Sequence, residues 1–129
     1  LSEGVQYIQV LGGNAPGTPE VVDDGRYGTG AHLVGDDADI MVLPSGDVLM
    51  VYMDATAGQL RAAVGVPNGN VHTWTHNAVD QGGDGEFAGY FPVLVDQGGT
   101  ISALNFWRVG VPTASGDVRL VPAGPTVGL

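Results

Sequence analysis

The sequence contains no cysteine and no lysine. Without cysteine the chain has no disulfide, no thiol nucleophile and no cysteine-ligated metal site. Its basic side chains are four arginines, which stand against fourteen aspartates and glutamates and leave a formal net charge of -10. Because this charge repels polyphosphates and anionic lipid headgroups, the composition argues against nucleic acid and against membrane surfaces as partners.

Long apolar runs are also lacking. The longest, residues 48–53, has the length of a strand, whereas a membrane-spanning helix requires roughly 18 apolar residues, so we expect no membrane insertion. The sequence starts at Leu1 without a segment typical of a signal peptide, which we interpret as a processed chain or a piece of a longer protein. An acidic, lysine-free, glycine-rich composition is typical of bacterial secreted proteins, so we expect a secreted or cell-surface location.

Glycine and proline are abundant instead, with 22 glycines and 8 prolines among 129 residues. This spacing argues against helices and favours short strands joined by tight turns. With 43% hydrophobic residues, the chain can still form a core. We therefore predict an all-β fold with a turn at residues 67–70 and with strands at residues 5–11, 21–22, 38–43, 47–54, 59–64 and 72–79.

The strand pattern repeats at about 55 residues. Four segments of the first half resemble four segments of the second: 22–25 and 79–82, 40–46 and 93–99, 48–53 and 101–106, 58–61 and 116–119. Such a period with about four strands per unit is typical of a β-propeller blade, and a β-sandwich is the alternative. We divide the chain into an N-terminal strand and loop (1–19), which would end a preceding blade, and two blade-like repeats (20–79 and 80–129).

One strand supports a stack of sheets. Residues 48–53 are apolar on both faces of the predicted strand, and such a strand must be covered on both sides. The middle strands of a propeller blade meet this condition, because each blade packs between two neighbours. Two blades alone would leave two outward faces bare, so we expect the chain not to stand alone.

The order of motifs resembles the degenerate blade repeats of large secreted bacterial β-propeller proteins, which are similar to sialidase propellers in blade pattern. The resemblance covers residues 20–121 and is weaker in the second copy, where Asn105 and Trp107 replace Tyr52 and Asp54. The turn at residues 67–74 keeps the Thr-Trp of an Asp-box but lacks its Ser and Asp. The resemblance implies a fold and no particular activity. It rests on Tyr52-x-Asp54, Gly58-x-Leu60-Arg61, Trp74-Thr75 and Val79-Asp80.

The sequence carries no catalytic signature, and we predict no catalytic residue. Sialidase-type catalysis requires three arginines around a carboxylate, whereas the arginines here are spread over different units, and Arg61 and Arg119 occupy equivalent repeat positions typical of a structural role. No G-x-S-x-G motif is present. His72 and His76 would lie about 13 Å apart on one strand, too far for one zinc ion. With His32, we interpret them as ordinary surface histidines.

Two acidic segments are candidate calcium sites, because hard oxygen ligands on a glycine-rich loop can hold Ca²⁺. One lies before a predicted strand and the other in the equivalent loop of the second repeat. The alternative, which we favour, is that both are solvated acidic loops. The candidate ligands are Asp36, Asp37 and Asp39, and Asp80, Asp84 and Glu86; we expect no other cofactor.

Aromatic residues and one arginine are candidate ligand-binding residues: Trp74, Tyr90, Trp107 and Arg108. An arginine beside an aromatic ring can bind an acidic or sugar ligand by stacking and hydrogen bonds. The alternative is that the aromatic rings pack between blades.

Three functions remain open at this point. We favour a non-catalytic scaffold whose partners are other blades, supplied by the same polypeptide, by identical chains or by another protein. The second is a carbohydrate-binding lectin that closes a propeller ring by oligomerisation and binds a glycan. The third is a fragment of a glycosidase-like enzyme.

Overall fold

The computed structural model describes residues 4–7, 9, 17–28, 30–109 and 115–124. Within these residues the chain is all-β, as predicted, and no helix is present that could span a membrane. The strands are β1 (Val5–Tyr7), β2 (Glu20–Asp23), β3 (Arg26–Tyr27), β4 (Gly30–Ala31), β5 (Val34–Val42), β6 (Val48–Asp54), β7 (Gln59–Asn68), β8 (Val71–Gln81), β9 (Glu86–Gln97), β10 (Thr100–Val109) and β11 (Ser115–Pro122).

All strand pairs are antiparallel, and most join neighbours in the sequence. β5 to β8 form a four-stranded sheet in chain order, which we call the central sheet. β9, β10 and β11 form a three-stranded sheet with β10 in the middle. β1 pairs with β2, and β3 pairs with β4, in two small sheets. Tight turns rich in glycine therefore build meanders in which each strand returns beside the previous one.

The central sheet is covered on both faces, as the apolar pattern of residues 48–53 predicts. All seven residues of β6 are buried. Leu49 and Val51 point towards β9–β11 and share a core with Leu94 and Ala103. The alternate residues of β6 point the other way and share a second core with β1 and β2, formed by Val5, Tyr7, Val22, Val34, Val48, Met50, Tyr52 and Ala63.

The sequence repeat is also a repeat of the backbone. β6 and β10 are each the strand between the first and third strands of their sheets. In the first strand of each sheet, a glycine and the second residue after it adopt positive φ angles: Gly35 (105°) and Asp37 (45°) in β5, and Gly89 (99°) and Phe91 (50°) in β9. Positive φ is uncommon outside glycine, so side-chain preference does not explain why both Asp37 and Phe91 adopt it.

The three-stranded sheet has one face that no described residue covers. Ile101, Ala103 and Asn105 point towards the central sheet and are buried. On the opposite face, Leu104 of β10 lies directly between Val93 and Leu120 in the strand register. We call this the open face; its exposed apolar residues are Val93, Phe106, Val118 and Leu120. The fourth strand of this sheet, expected from a flanking segment, is absent from the described residues, whereas β8 supplies it to the central sheet.

Three strand boundaries differ from prediction. β5 begins at Val34, so the acidic residues expected in a loop before it lie inside a strand that bulges at Asp36. β7 continues through Pro67 to Asn68, and the turn is shorter than predicted. Proline is tolerated there because β6 begins at Val48, opposite Gly65, so that β7 has no β6 neighbour beside Pro67. Of the strand expected at residues 5–11, β1 is seen; residues 8, 10 and 11 lie outside the described residues.

Candidate functional site

A buried carboxylate joins β2 to the central sheet. Asp23, at the end of β2, accepts hydrogen bonds from the Tyr52 hydroxyl (2.8 Å) and from Arg61 Nε (3.2 Å). Its second oxygen accepts from the Gly25 amide (2.8 Å). Since Asp23 is 1% and Arg61 7% exposed, each charge relies on the other rather than on water. We call Asp23, Tyr52 and Arg61 the first clamp.

A second carboxylate lies at the end of β6, beside the first clamp. Asp54 accepts from the Tyr27 hydroxyl, from His32 Nδ1 (2.7 Å) and from the Ala57 amide (2.9 Å). Because a carboxylate only accepts, the proton of His32 must lie on Nδ1. Burial raises the pKa of Asp54, but the donors around it have the larger combined effect and hold this pKa below its ordinary value. Asp54 is therefore a carboxylate at neutral pH.

The two tyrosines of this region are held in the protonated form. Burial raises the pKa of Tyr27 and of Tyr52, and the carboxylates of Asp54 and Asp23 that accept their hydroxyl protons raise it further. At neutral pH both phenols are therefore neutral hydrogen-bond donors to these carboxylates.

Arg61 makes two further contacts. Its guanidinium lies 4.0 Å from the centre of the Tyr27 ring, and Nη2 lies 2.7 Å from His76 Nδ1. Arginine can only donate, so His76 Nδ1 is the acceptor. His76 Nδ1 also lies 3.4 Å from the Asp23 carboxylate, but the shorter contact with Arg61 defines its role. Arg61 therefore contacts an aspartate, a histidine and an aromatic ring of the protein.

The second repeat contains the same clamp. Asp80, at the end of β8, accepts from Asn105 Nδ2 (3.0 Å) and from Arg119 Nη1 (3.3 Å). Asn105 in β10 stands where Tyr52 stands in β6, and Arg119 in β11 corresponds to Arg61 in β7. Arg119 also stacks on an aromatic ring, that of Trp107, at 4.2 Å. We call Asp80, Asn105 and Arg119 the second clamp.

The two clamps have the same topology. In each, an aspartate at the end of an outer strand reaches an arginine on the third strand of the next sheet. The structural role predicted for Arg61 and Arg119 from their equivalent repeat positions agrees with this arrangement. Each arginine is bound to an aspartate of the preceding sheet and stacked on an aromatic ring, an arrangement suited to holding sheets together.

The interpretation of the histidines as ordinary surface residues is wrong. His72 Nδ1 lies 2.8 Å from the Glu20 carboxylate, and its ring packs edge-on against Tyr7 and beside Trp74. His32 and His76 likewise contact the carboxylates of Asp54 and Asp23. The carboxylate partners come from strands 15 or more positions away in the printed sequence, so no local spacing could reveal them.

The contact with His72 affects the pKa of the Glu20 carboxyl group. Burial raises the pKa of its carboxyl group, while hydrogen bonds from the His72 backbone and ring bring the pKa below the ordinary value of 4.5. Glu20 and His72 also line a cavity of about 700 Å³ between the N-terminal segment and the turn after β7. Its other described lining residues are Gln9, Gly17, Thr18, Gly46, Pro67, Gly69, Asn70 and Val71.

The candidate calcium ligands are dispersed. Asp37 accepts from the Phe91 amide (3.3 Å) and Asp39 from the Leu94 amide (2.8 Å), so these carboxylates join β5 to β9. Asp36 is exposed in β5 and Asp84 is exposed in the connection between β8 and β9.

The other two candidates lie in strands rather than in a loop. Asp80 belongs to the second clamp, and Glu86 accepts from the Gly83 amide (2.7 Å). Within the described ranges no three His, Asp or Glu side chains are grouped to hold a metal ion. The calcium hypothesis stays a prediction.

The four candidate ligand-binding residues do not form one site. Trp74 lies against Tyr7 on the side of β1 and β2. Trp107 lies under Arg119, on the covered side of the three-stranded sheet. Tyr90 and Arg108 do meet: the guanidinium carbon of Arg108 lies 5.4 Å from the centre of the Tyr90 ring and 5.7 Å from that of Phe87.

Comparisons with protein-family models, with curated proteins and with solved structures gave no match to this chain.

Proposed function

We propose that this protein is a non-catalytic β-propeller module that acts as a structural or interaction scaffold. In this proposal the central sheet is one complete blade, β9–β11 are three strands of the next, and β1 and β2 are the outer strands of the preceding one. The observation that carries the proposal is the recurrence of the clamp at two successive sheet interfaces. A β-sandwich needs one such interface, whereas a propeller uses it repeatedly.

The polar chemistry of the clamps supports a scaffold over an enzyme. Both clamp arginines are bound to aspartates, and the two tyrosines nearest the first clamp donate to carboxylates. A catalytic site keeps at least one such group available for the substrate. We propose that the clamps instead fix the order of the sheets, because the aspartate of one sheet contacts an arginine of the following sheet.

The open face supports continuation of the stack. In the central sheet, the face that meets β9–β11 is formed by Leu49, Leu60 and Ala62, all of which are fully buried. The repeat places Val118 and Leu120 at the positions of Leu60 and Ala62. We propose that another sheet covers them in the same way, because an uncovered apolar face of roughly 400 Å² is large for a soluble monomer.

The opposite end of the stack gives a matching argument. β2 packs against β7 and β8, and Tyr7 of β1 lies against Trp74 of β8, while Ile40 and Val42 of β5 remain 48% and 64% exposed. In the strand register, Ile40 and Val42 each lie opposite a residue of β6 that belongs to the core shared with β1 and β2. We propose that the inner strands of a preceding blade cover them. The missing strands come from the same polypeptide, from identical chains or from another protein.

Solution mass tests the proposal. Light scattering on the 129-residue chain should give a mass above the monomer that rises with concentration. Leu120→Asp places a charge on the open face and should return the chain to a monomer. Val71→Asp is the matched control, since Val71 is 49% and Leu120 50% exposed, but Val71 follows the turn after β7, away from the open face.

Two results would contradict the scaffold. One is a wild-type monomer with a cooperative melt at every concentration. The other is association that Val71→Asp disrupts as strongly as Leu120→Asp, because the open face would then have no special part in it.

A further inference from the structure

Arg108 is held by aromatic rings rather than by an acid. Its guanidinium carbon lies 5.7 Å from the centre of the Phe87 ring and 5.4 Å from that of the Tyr90 ring. Among the described residues, no carboxylate lies within ion-pair distance of it, whereas Arg61 and Arg119 each contact a buried aspartate. The nearby Glu86 carboxylate is bonded to the Gly83 amide. In a chain with ten excess negative charges, this leaves an oriented cation with donors to spare.

Phe91 provides a second, independent observation. Its φ angle is 50°, which is unfavourable for an aromatic residue, and its side chain is 70% exposed. The backbone is fixed there by the bond from the Phe91 amide to Asp37. The equivalent residue of the central sheet, Asp37, has a similar φ angle of 45°, so the backbone conformation belongs to the repeat. What is particular to Phe91 is that this conformation presents a large apolar ring to water, and contiguous apolar surface of this kind is a common feature of binding sites.

The two features adjoin one another. The rings of Tyr90 and Phe91 are 6.5 Å apart between centres, so Tyr90 adjoins both the exposed Phe91 ring and the Arg108 guanidinium. The site is formed by the first half of β9 and the last residues of β10, and we place it beyond the part of the open face that a further sheet would cover. Its repeat counterparts in the central sheet, Asp37 and Ala55, are not buried even though that face is covered.

We propose that Phe87, Tyr90, Phe91 and Arg108 bind a sugar that carries a carboxylate, such as a uronic acid. Arg108 donates two parallel hydrogen bonds to the carboxylate, in the geometry that guanidinium favours. The two rings restrict the guanidinium orientation and so reduce the entropy lost on binding. The exposed face of Phe91 packs against the apolar side of the pyranose ring. This proposal is independent of the scaffold, since a monomeric chain presents the same residues.

Titration by two-dimensional NMR of the ¹⁵N-labelled full chain tests the site. The probes are glucuronate, which has both a sugar ring and a carboxylate, glucose, which has only the ring, and acetate, which has only the carboxylate. We expect glucuronate to shift the amides around Phe91 and Arg108 in a saturable manner in the millimolar range. Glucose and acetate should each bind at least about tenfold more weakly, as the loss of a charge-assisted bond or of ring contact requires.

Variants assign the roles. Arg108→Gln should abolish saturable binding, and Phe91→Ala should weaken glucuronate while leaving any acetate response unchanged. Arg26→Gln is the matched control, because Arg26 is also exposed, and it should bind as the wild type does. Both Arg108→Gln and Phe91→Ala change exposed side chains, and dispersed amide spectra verify their folding.

Three results would overturn the proposal. They are the absence of glucuronate shifts, equal affinity for acetate and glucuronate, and retained binding in Arg108→Gln.

Discussion

The first clamp predicts a large and unequal response to charge removal. Asp23→Asn keeps the shape of the side chain but removes the charge that balances Arg61, which is 7% exposed. Breaking a buried ion pair by removing one partner typically costs about 3–5 kcal/mol, because the remaining charge is unpaired and desolvated. We therefore expect Asp23→Asn to lower the free energy of unfolding by about 3 kcal/mol, a large share of the total for a small domain.

The second clamp provides the matched comparison. The side chain of Arg119 is 34% exposed, so water can solvate it when Asp80 is neutralised. We expect Asp80→Asn to cost about 1 kcal/mol, the upper end for solvent-accessible ion pairs. Urea unfolding at neutral pH measures both values from the midpoints and slopes.

A double-mutant cycle measures the interaction energy between Asp23 and Arg61 separately from the contacts that each makes with other residues. Arg61→Met removes the cation but keeps an apolar stem of similar length. If the two charges stabilise one another, the double variant Asp23→Asn/Arg61→Met should be more stable than Asp23→Asn alone. Additive losses, or an Asp23→Asn loss no larger than that of Asp80→Asn, would refute the reasoning.

Three further predictions concern pH and backbone strain. Because the folded-state pKa of Asp54 is below its ordinary value of 3.8, its stabilising contribution is complete at neutral pH and is lost as the pH falls below about 4; Asp54→Asn should flatten acid unfolding over that range. Tyr27 and Tyr52, with pKa values raised above the ordinary 10.0, should ionise only on unfolding, so tyrosinate absorbance and loss of fold should coincide above pH 10. Gly89→Ala should cost about 3 kcal/mol in urea unfolding, since its φ is 99° and a Cβ would lie 2.8 Å from a backbone oxygen of β7. Gly98→Ala, with positive φ but open space, should cost about 1 kcal/mol, and equal costs would remove the steric argument.

The sequence predicted the strands well because their signals are local. The alternation of apolar residues and the glycine turns place β6, β7 and β8 within a few residues of their observed positions. The apolar character of β6 on both faces predicted its double coverage. Each of these properties depends on neighbours in the chain or on the periodicity of a single strand.

The interactions between sheets were harder to predict. His72 reads as a polar residue on an alternating strand, and only the fold brings Glu20 to it. Asp37 and Asp39 read as a loop because an acidic run disfavours a strand, yet a bulge in β5 and the amides of β9 accommodate both. The equivalence of Arg61 and Arg119 was visible in the repeat, but their contacts with Asp23 and with Asp80, a candidate calcium ligand, were not.

The most direct test of the account is a crystal structure of the chain in its assembled state. The account predicts that β5, β6 and β7 superimpose on β9, β10 and β11 with the two clamps coincident. It also predicts that another sheet covers Val118 and Leu120. Sheets that fail to superimpose, or an open face that remains in contact with solvent in every copy, would contradict it.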